Sequence, residues 1–233
     1  MTPQPARHGP VAAPHAPSPP PSSGTVVFIG DSITDCDRRS DPIGLGGGYV
    51  DIVASTLRER GDAPTVVNTG IAGDRVEHLQ QRWQADALDH RPAVLSVFVG
   101  VNDTLVAFFR GRPTPPEVFE RRYADLLDRA ATARVPRLIV VDPFFLGSED
   151  DGVRWREGGE FARGDLDAKR AIVRRLAERH GAAFVPLQEA MSRAARERGR
   201  AVVAPDGVHP SAYGHRLIAR LWLAAYDGLA TLD

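Results

Sequence analysis

The chain of 233 residues holds a single cysteine, Cys36, which rules out an internal disulfide and any metal site built on paired thiolates. Cys36 reads as a small semi-buried residue and not as a nucleophile, because the nearby Ser32 has the better context. Lysine is as scarce: Lys169 stands alone, and arginine carries nearly all the positive charge. A GC-rich coding genome produces that bias, so arginine richness is not read as function. No run approaches the roughly 20 apolar residues of a membrane span. The N-terminus also lacks the basic start and apolar core of a secretory signal, so a cytoplasmic location is expected. A formal net charge of -1 provides no excess for nucleic acid or an anionic membrane, and neither is expected as a partner. No internal repeat is visible.

What is present is a strand–helix alternation behind a Pro-, Ala- and Ser-rich tail. Residues 1–24, with the run Pro17-Ser18-Pro19-Pro20-Pro21, hold too little apolar surface to offset their ordering entropy and are expected to be disordered. The remainder, 25–233, reads as one domain. Short apolar, β-branched runs at Thr25–Ile29, Thr65–Val67, Val94–Val99, Leu138–Val141 and Ala183–Val185 read as strands buried on both faces. Helices are expected at Tyr49–Arg60, Val76–Gln84, Pro116–Ala133, Asp165–His180, Leu187–Arg198 and from about Ser211 to Leu229. With no hairpin signals, the alternation implies right-handed crossovers, a five-stranded parallel sheet and a three-layer α/β/α sandwich. Such sheets bind ligands beyond the carboxyl ends of their strands, so the segments following the strands carry the functional question.

Four of those segments fit one chemistry. After the first strand, Gly30-Asp31-Ser32 offers a sharp turn and a serine at the rim. After the second, Asn68-Thr69-Gly70-Ile71-Ala72-Gly73-Asp74 offers the Gly73 N–H beside a helix start, with Asp74 as a candidate cap. After the third, Gly100-Val101-Asn102-Asp103 offers the Asn102 amide, a neutral donor suited to an oxyanion. Near the C-terminus, Pro205-Asp206-Gly207-Val208-His209-Pro210-Ser211 sets Asp206 across a turn from His209. There Pro210 is a candidate first residue of the last helix. Each segment alone is an ordinary turn. Together they supply a nucleophile (Ser32), a base (His209), a group to orient it (Asp206) and oxyanion donors from Ser32, Gly73 and Asn102.

In these blocks the chain resembles the SGNH (GDSL) hydrolase superfamily, named for the residues matched by Ser32, Gly73, Asn102 and His209, with Asp206 at the family's triad aspartate. The resemblance spans Val26 to Gly214 and implies the flavodoxin-like SGNH fold. A narrower similarity, to the xylan acetylesterase branch, is carried by Gly30 to Cys36, Leu45 to Val50, Val67 to Gly73, Arg82-Trp83, Gly100 to Asp103, Pro143-Phe144 and Val208 to Ser211. One position departs: Pro205 precedes Asp206 where that branch often has an aromatic residue, which bears on sugar specificity. The resemblance implies a serine esterase acting through an acyl-enzyme on short acetyl esters of small saccharides such as xylo-oligosaccharides. No cofactor or metal is needed, and the partner is a small-molecule ester. A lysophospholipase or thioesterase on longer acyl chains is the alternative enzyme, and a non-catalytic carbohydrate-binding module the alternative class. A homo-oligomer is left open.

Other features are set aside. Gly44-Leu45-Gly46-Gly47-Gly48 lacks the lysine of a phosphate loop and reads as a flexible rim loop. Tyr49 reads as a packing residue, Trp83 as either a packing residue or one that lines the site, and His78, His180 and His215 lack metal-ligand spacing. The stretch from Phe144 to Gly164, with Trp155, reads as a long loop beside the pocket or a subunit contact.

Overall fold

Alternation along one strand decides the architecture. In β1 (Thr25–Gly30), Val26 and Phe28 enter one hydrophobic cluster while Val27 and Ile29 enter another. A strand buried on both faces needs helices on both. The computed structural model describes residues 24–110, 113–147 and 153–228, the side chains of 106–110 and 153–161 excepted. The tail expected to be disordered therefore lies outside the described residues, apart from Gly24.

The other strands are β2 (Thr65–Asn68), β3 (Val94–Phe98), β4 (Arg137–Val141) and β5 (Ala183–Val185), all parallel in the order β2-β1-β3-β4-β5. Of the helices, α2 (Tyr49–Glu59), α7 (Leu187–Arg198) and α9 (Ala212–Tyr226) cover the face of Val26 and Phe28. The opposite face is covered by α3 (Val76–Asp86), α5 (Pro116–Thr132) and α6 (Val153–Arg179). This is the expected three-layer α/β/α sandwich. Trp222 of α9 anchors the first layer: its ring lies 4.8 Å from Phe28 and 5.3 Å from Tyr226, and its buried Nε1–H donates to Ser96 Oγ. Tyr49 and Trp83 are fully buried, as packing residues should be.

Several elements depart from the sequence reading. A helix α4 (Val101–Arg110) follows β3 where the sequence suggests only a turn; Val101 and Leu105, one turn apart, bury against Phe145, Ala162 and Leu166. α6 begins at Val153, not Asp165. Its glycines weaken a helix by about 1 kcal/mol each, but Ala162 and Leu166 gain a buried face. Thus much of the expected Phe144–Gly164 loop is helical; residues 148–152 and the Trp155 side chain lie outside the described residues. Short helices α1 (Ser32–Asp35) and α8 (Arg200–Val203) and a 3-10 turn at Leu88–His90 also fall outside the expected elements. The Gly44–Gly48 loop is knit together, since the Asp41 carboxylate accepts from the Ile43, Leu45 and Gly46 N–H groups at 2.8–3.2 Å.

The strand order places the site. The chain leaves β1 to one side for β2 and crosses to the other for β3, so a crevice opens between the carboxyl ends of β1 and β3. Ser32 follows the first of these strands and Asn102 the second.

Candidate active site

Asp31 shapes the turn that presents Ser32. Its Oδ1 accepts from the Ile33 N–H at 3.1 Å, capping the four-residue α1, whose first residue is Ser32. That leaves the Ser32 N–H among the donors a helix start cannot satisfy internally. The Gly70 backbone lies against this turn: a Cβ there would stand 2.4 Å from the Asp35 nitrogen, so only glycine permits the approach. Asn68 secures the same contact, donating from Nδ2 to the Thr34 and Leu45 carbonyls at 2.7 Å each.

Ser32 Oγ lies 3.0 Å from His209 Nε2, across 177 residues of sequence. His209 Nδ1 lies 2.6 Å from Asp206 Oδ2, while Asp206 Oδ1 accepts from the Val208 and His209 N–H groups. A carboxylate on Nδ1 holds the proton there, leaving Nε2 free to accept one from Ser32. Burial pushes the Asp206 carboxyl up, but the bonds from the His209 ring and the two N–H groups outweigh it and hold it below its ordinary value. The Asp206 and His209 side chains are each 56% exposed, which leaves the pair open to a ligand.

Two oxyanion-donor candidates follow β2 and β3. The loop after β2 satisfies Ile71 N–H on the Gly30 carbonyl and Asp74 N–H on the Ile71 carbonyl, and Gly73 N–H takes part in neither bond. Gly73 is exposed, with nothing within 4 Å of where a Cβ would stand. Asn102 sits in the first turn of α4, and its Nδ2 donates to the Asp74 carbonyl at 3.1 Å, joining the two segments. The structure thus brings Ser32, Asp206 and His209 into one hydrogen-bonded chain and links the Gly73 and Asn102 segments through Asp74.

Two local expectations change. Asp74 does not cap α3: its carboxylate is taken by Arg82 Nε at 2.8 Å, and Asp103 Oδ2 accepts the Val76 N–H instead. Pro210 is not the first residue of α9. Ser211 is the N-cap, its Oγ accepting from Tyr213 and Gly214 N–H, and Pro210 stands one position earlier. His215 behaves as a structural residue. Its Nδ1 accepts from Tyr49 N–H at 3.2 Å, which puts the ring proton on Nε2, 3.6 Å from Cys36 Sγ. Burial, reinforced by His209, pushes the His215 pKa down to about 4, so this ring is neutral at neutral pH. Burial likewise raises the Cys36 thiol above its ordinary value, the opposite of an activated thiol.

All three of Asp31, Asp103 and Arg82 lie in blocks that carry the family resemblance, but their contacts escape a reading of the sequence. The first two stand beside Ser32 and Asn102 in turn-forming triplets, and nothing local gives the partners of Arg82. Among the described residues, no three His, Cys, Asp or Glu side chains are grouped to hold a metal, and no helix is long and apolar enough to cross a membrane.

Residues 28–217 match the GDSL-like Lipase/Acylhydrolase family. The chain belongs to that family. It is a carboxylic ester hydrolase of the GDSL type. An acetylxylan esterase from Geobacillus stearothermophilus is 32% identical over 216 residues, covering 87% of this chain and 93% of that protein. Solved structures agree. An alpha/beta hydrolase enzyme from the metagenome of Lake Arreo, Spain, has a TM-score of 0.77 at 31% identity, covering 88% of this chain and 96% of its own. Two catalytic mutants of the Geobacillus esterase replace an aspartate and, three positions later, a histidine by alanine. Each has a TM-score of 0.76 at 27% identity, covering 89% of this chain and 97% of its own.

Proposed function

We propose that this GDSL hydrolase is a serine esterase that removes acetyl groups from small acetylated saccharides such as xylo-oligosaccharides. The observation that carries the reading is the hydrogen-bonded chain from Ser32 Oγ through the His209 ring to Asp206. The catalytic mutants of the Geobacillus esterase support it, because their aspartate and histidine have the spacing of Asp206 and His209.

In this reading, His209 Nε2 takes the Ser32 proton as Oγ attacks the ester carbonyl, and later returns it to the leaving alkoxide. Asp206 fixes the tautomer and stabilises the charged ring between those events. The Ser32 and Gly73 N–H groups and the Asn102 amide receive the tetrahedral oxyanion. Water, activated by His209, then splits the acetyl-enzyme.

Ser32→Ala is the first test: ester turnover should vanish with the melting temperature nearly unchanged, and an active variant sinks the assignment. A chain-length series of nitrophenyl esters then tests the acyl group. Acetate preference supports the acetylesterase, whereas octanoate preference moves the substrate to long acyl chains. Release of acetate from acetylated xylosides tests the alcohol.

A further inference from the structure

The loop that carries Gly73 is held by a side chain outside all four site segments. Arg82, in α3, is 13% exposed and spends its fork on four acceptors. Nε donates to Asp74 Oδ2 at 2.8 Å, Nη1 to the Thr69 carbonyl at 2.6 Å and to Asp86 at 2.9 Å, and Nη2 to the Gly30 carbonyl at 3.0 Å. Gly30 ends β1 two residues before Ser32. Thr69 opens the loop after β2, and Asp74 closes it directly after Gly73. The Asp74 carbonyl in turn accepts from Asn102 Nδ2. One guanidinium therefore bridges the Ser32 turn to both ends of the Gly73 loop, and reaches Asn102 through Asp74.

We propose that Arg82 is the positioning residue of the oxyanion hole, setting the Gly73 N–H and the Asn102 amide relative to Ser32. The proposal rests on the reading of Ser32, Gly73 and Asn102 given above. The loop needs such a clamp because Gly70 and Gly73 give its backbone freedom, while an oxyanion donor must be held to about 0.5 Å. Arginine suits the task. Its planar fork meets several acceptors in fixed directions, whereas a lysine in its place carries three donors on one atom and cannot reach Gly30, Thr69 and Asp74 together. A misplacement of about 1 Å costs roughly 10²-fold in rate.

The test uses the full chain and its Arg82→Lys, Arg82→Gln and Arg82→Ala variants, with kcat expressed per active site titrated by a serine-directed phosphonate. For p-nitrophenyl acetate, kcat should fall by about 10²-fold in Arg82→Lys and Arg82→Gln while KM changes little. Phosphonylation, which builds the same tetrahedral oxygen, should slow in parallel. Added guanidinium ion at tens of millimolar should restore part of the Arg82→Ala activity. Arg82→Lys keeps the positive charge and serves if the other variants fold poorly. Wild-type kcat per titrated site, with only melting temperature or active fraction reduced, makes Arg82 a structural residue and overturns the proposal. Ser32→Ala separates the two levels: if it is inactive while the Arg82 variants keep full kcat, only the Arg82 role falls. If Ser32→Ala is active, the reading of the site itself falls.

Discussion

Replacing Asp31 by asparagine should make the protein less dependent on pH for its stability. Asp31 is fully buried beside Ser32; Oδ1 caps Ile33 N–H, and Oδ2 has no partner. Burial raises its pKa from 3.8 to about 7, against the smaller opposing pull of the Ile33 N–H. The native carboxyl therefore keeps a proton that the unfolded chain releases, and folding takes up a proton across the window from about pH 4 to about pH 7. Its contribution to stability is whole below the unfolded pKa, declines as pH rises and is gone above the folded pKa. At about 1.4 kcal/mol per unit, the decline from pH 4.5 to pH 8 amounts to about 3 kcal/mol. The substituted asparagine keeps an oxygen for Ile33 N–H and cannot ionise, but its amide nitrogen stands where Oδ2 has no partner, a cost of about 1–3 kcal/mol. The Asp31→Asn variant should therefore be slightly less stable than wild type near pH 4.5 and more stable at pH 8. Asp74, Asp103 and His209, whose charges reach Asp31, are present in both proteins, so their own titration largely cancels in the difference. Urea denaturation of both proteins across this range measures it directly. A gap that stays constant within about 0.5 kcal/mol refutes the reasoning, because Asp31 would then titrate alike in both states.

Further expectations concern the site and its support. Asn102→Ala removes one of the proposed oxyanion donors and should lower kcat by about 10²–10³-fold; steady-state kinetics giving less than a tenfold loss leave Asn102 a loop-shaping role only. Gly207 lies between Asp206 and His209 at φ +82°, and a Cβ there would stand 1.9 Å from the Gly147 carbonyl oxygen. Gly207→Ala should thus displace the His209 loop and lower kcat about tenfold or more, with a fall in melting temperature seen by calorimetry. Lys169, fully buried, pairs with Asp165 and donates to Thr104 Oγ1 at 3.2 Å. Lys169→Ala leaves that carboxylate without its cation and should cost about 3–5 kcal/mol in chemical denaturation.

The layers and strands are legible because burial on both faces imposes a recognisable pattern: β-branched runs such as Val94–Val99 between amphipathic segments. The limits of α7 can be read because Leu187, Ala190, Met191 and Ala194 repeat at helical spacing, and Arg196 and Arg198 suit its last turn. α4 and the first turns of α6 are not legible. The apolar face of α4 is satisfied by Phe145 on the loop after β4 and by Ala162 and Leu166 of α6, so its spacing gains meaning only from the tertiary contact. The same distinction divides the site. Ser32 can be read because it directly follows β1, and Asp206 and His209 because they stand three residues apart just before the last helix. The sequence points Asp74 to the wrong partner because helix starts commonly use Asp as a cap, and nothing local announces that Arg82 claims its carboxylate.

That division follows from what a reacting group needs. His209 and Asp206 must be reachable by substrate and are each 56% exposed, so little packing holds them. Their order comes from elsewhere: Gly207 seats the loop against Gly147, and Leu146 N–H donates to the Gly207 carbonyl. On the opposite side, Arg82 ties down the Gly73 loop, and Asp103 caps the helix behind it. Substitutions at these supports should therefore change the rate without changing which ester is recognised, because they act through the placement of His209 and the Gly73 loop. Selectivity between acetyl and longer acyl esters should instead respond to residues lining the crevice between β1 and β3. A support variant such as Gly207→Ala should lower kcat for acetate and octanoate esters by the same factor, and a changed ratio in that pair of assays would contradict the separation of roles.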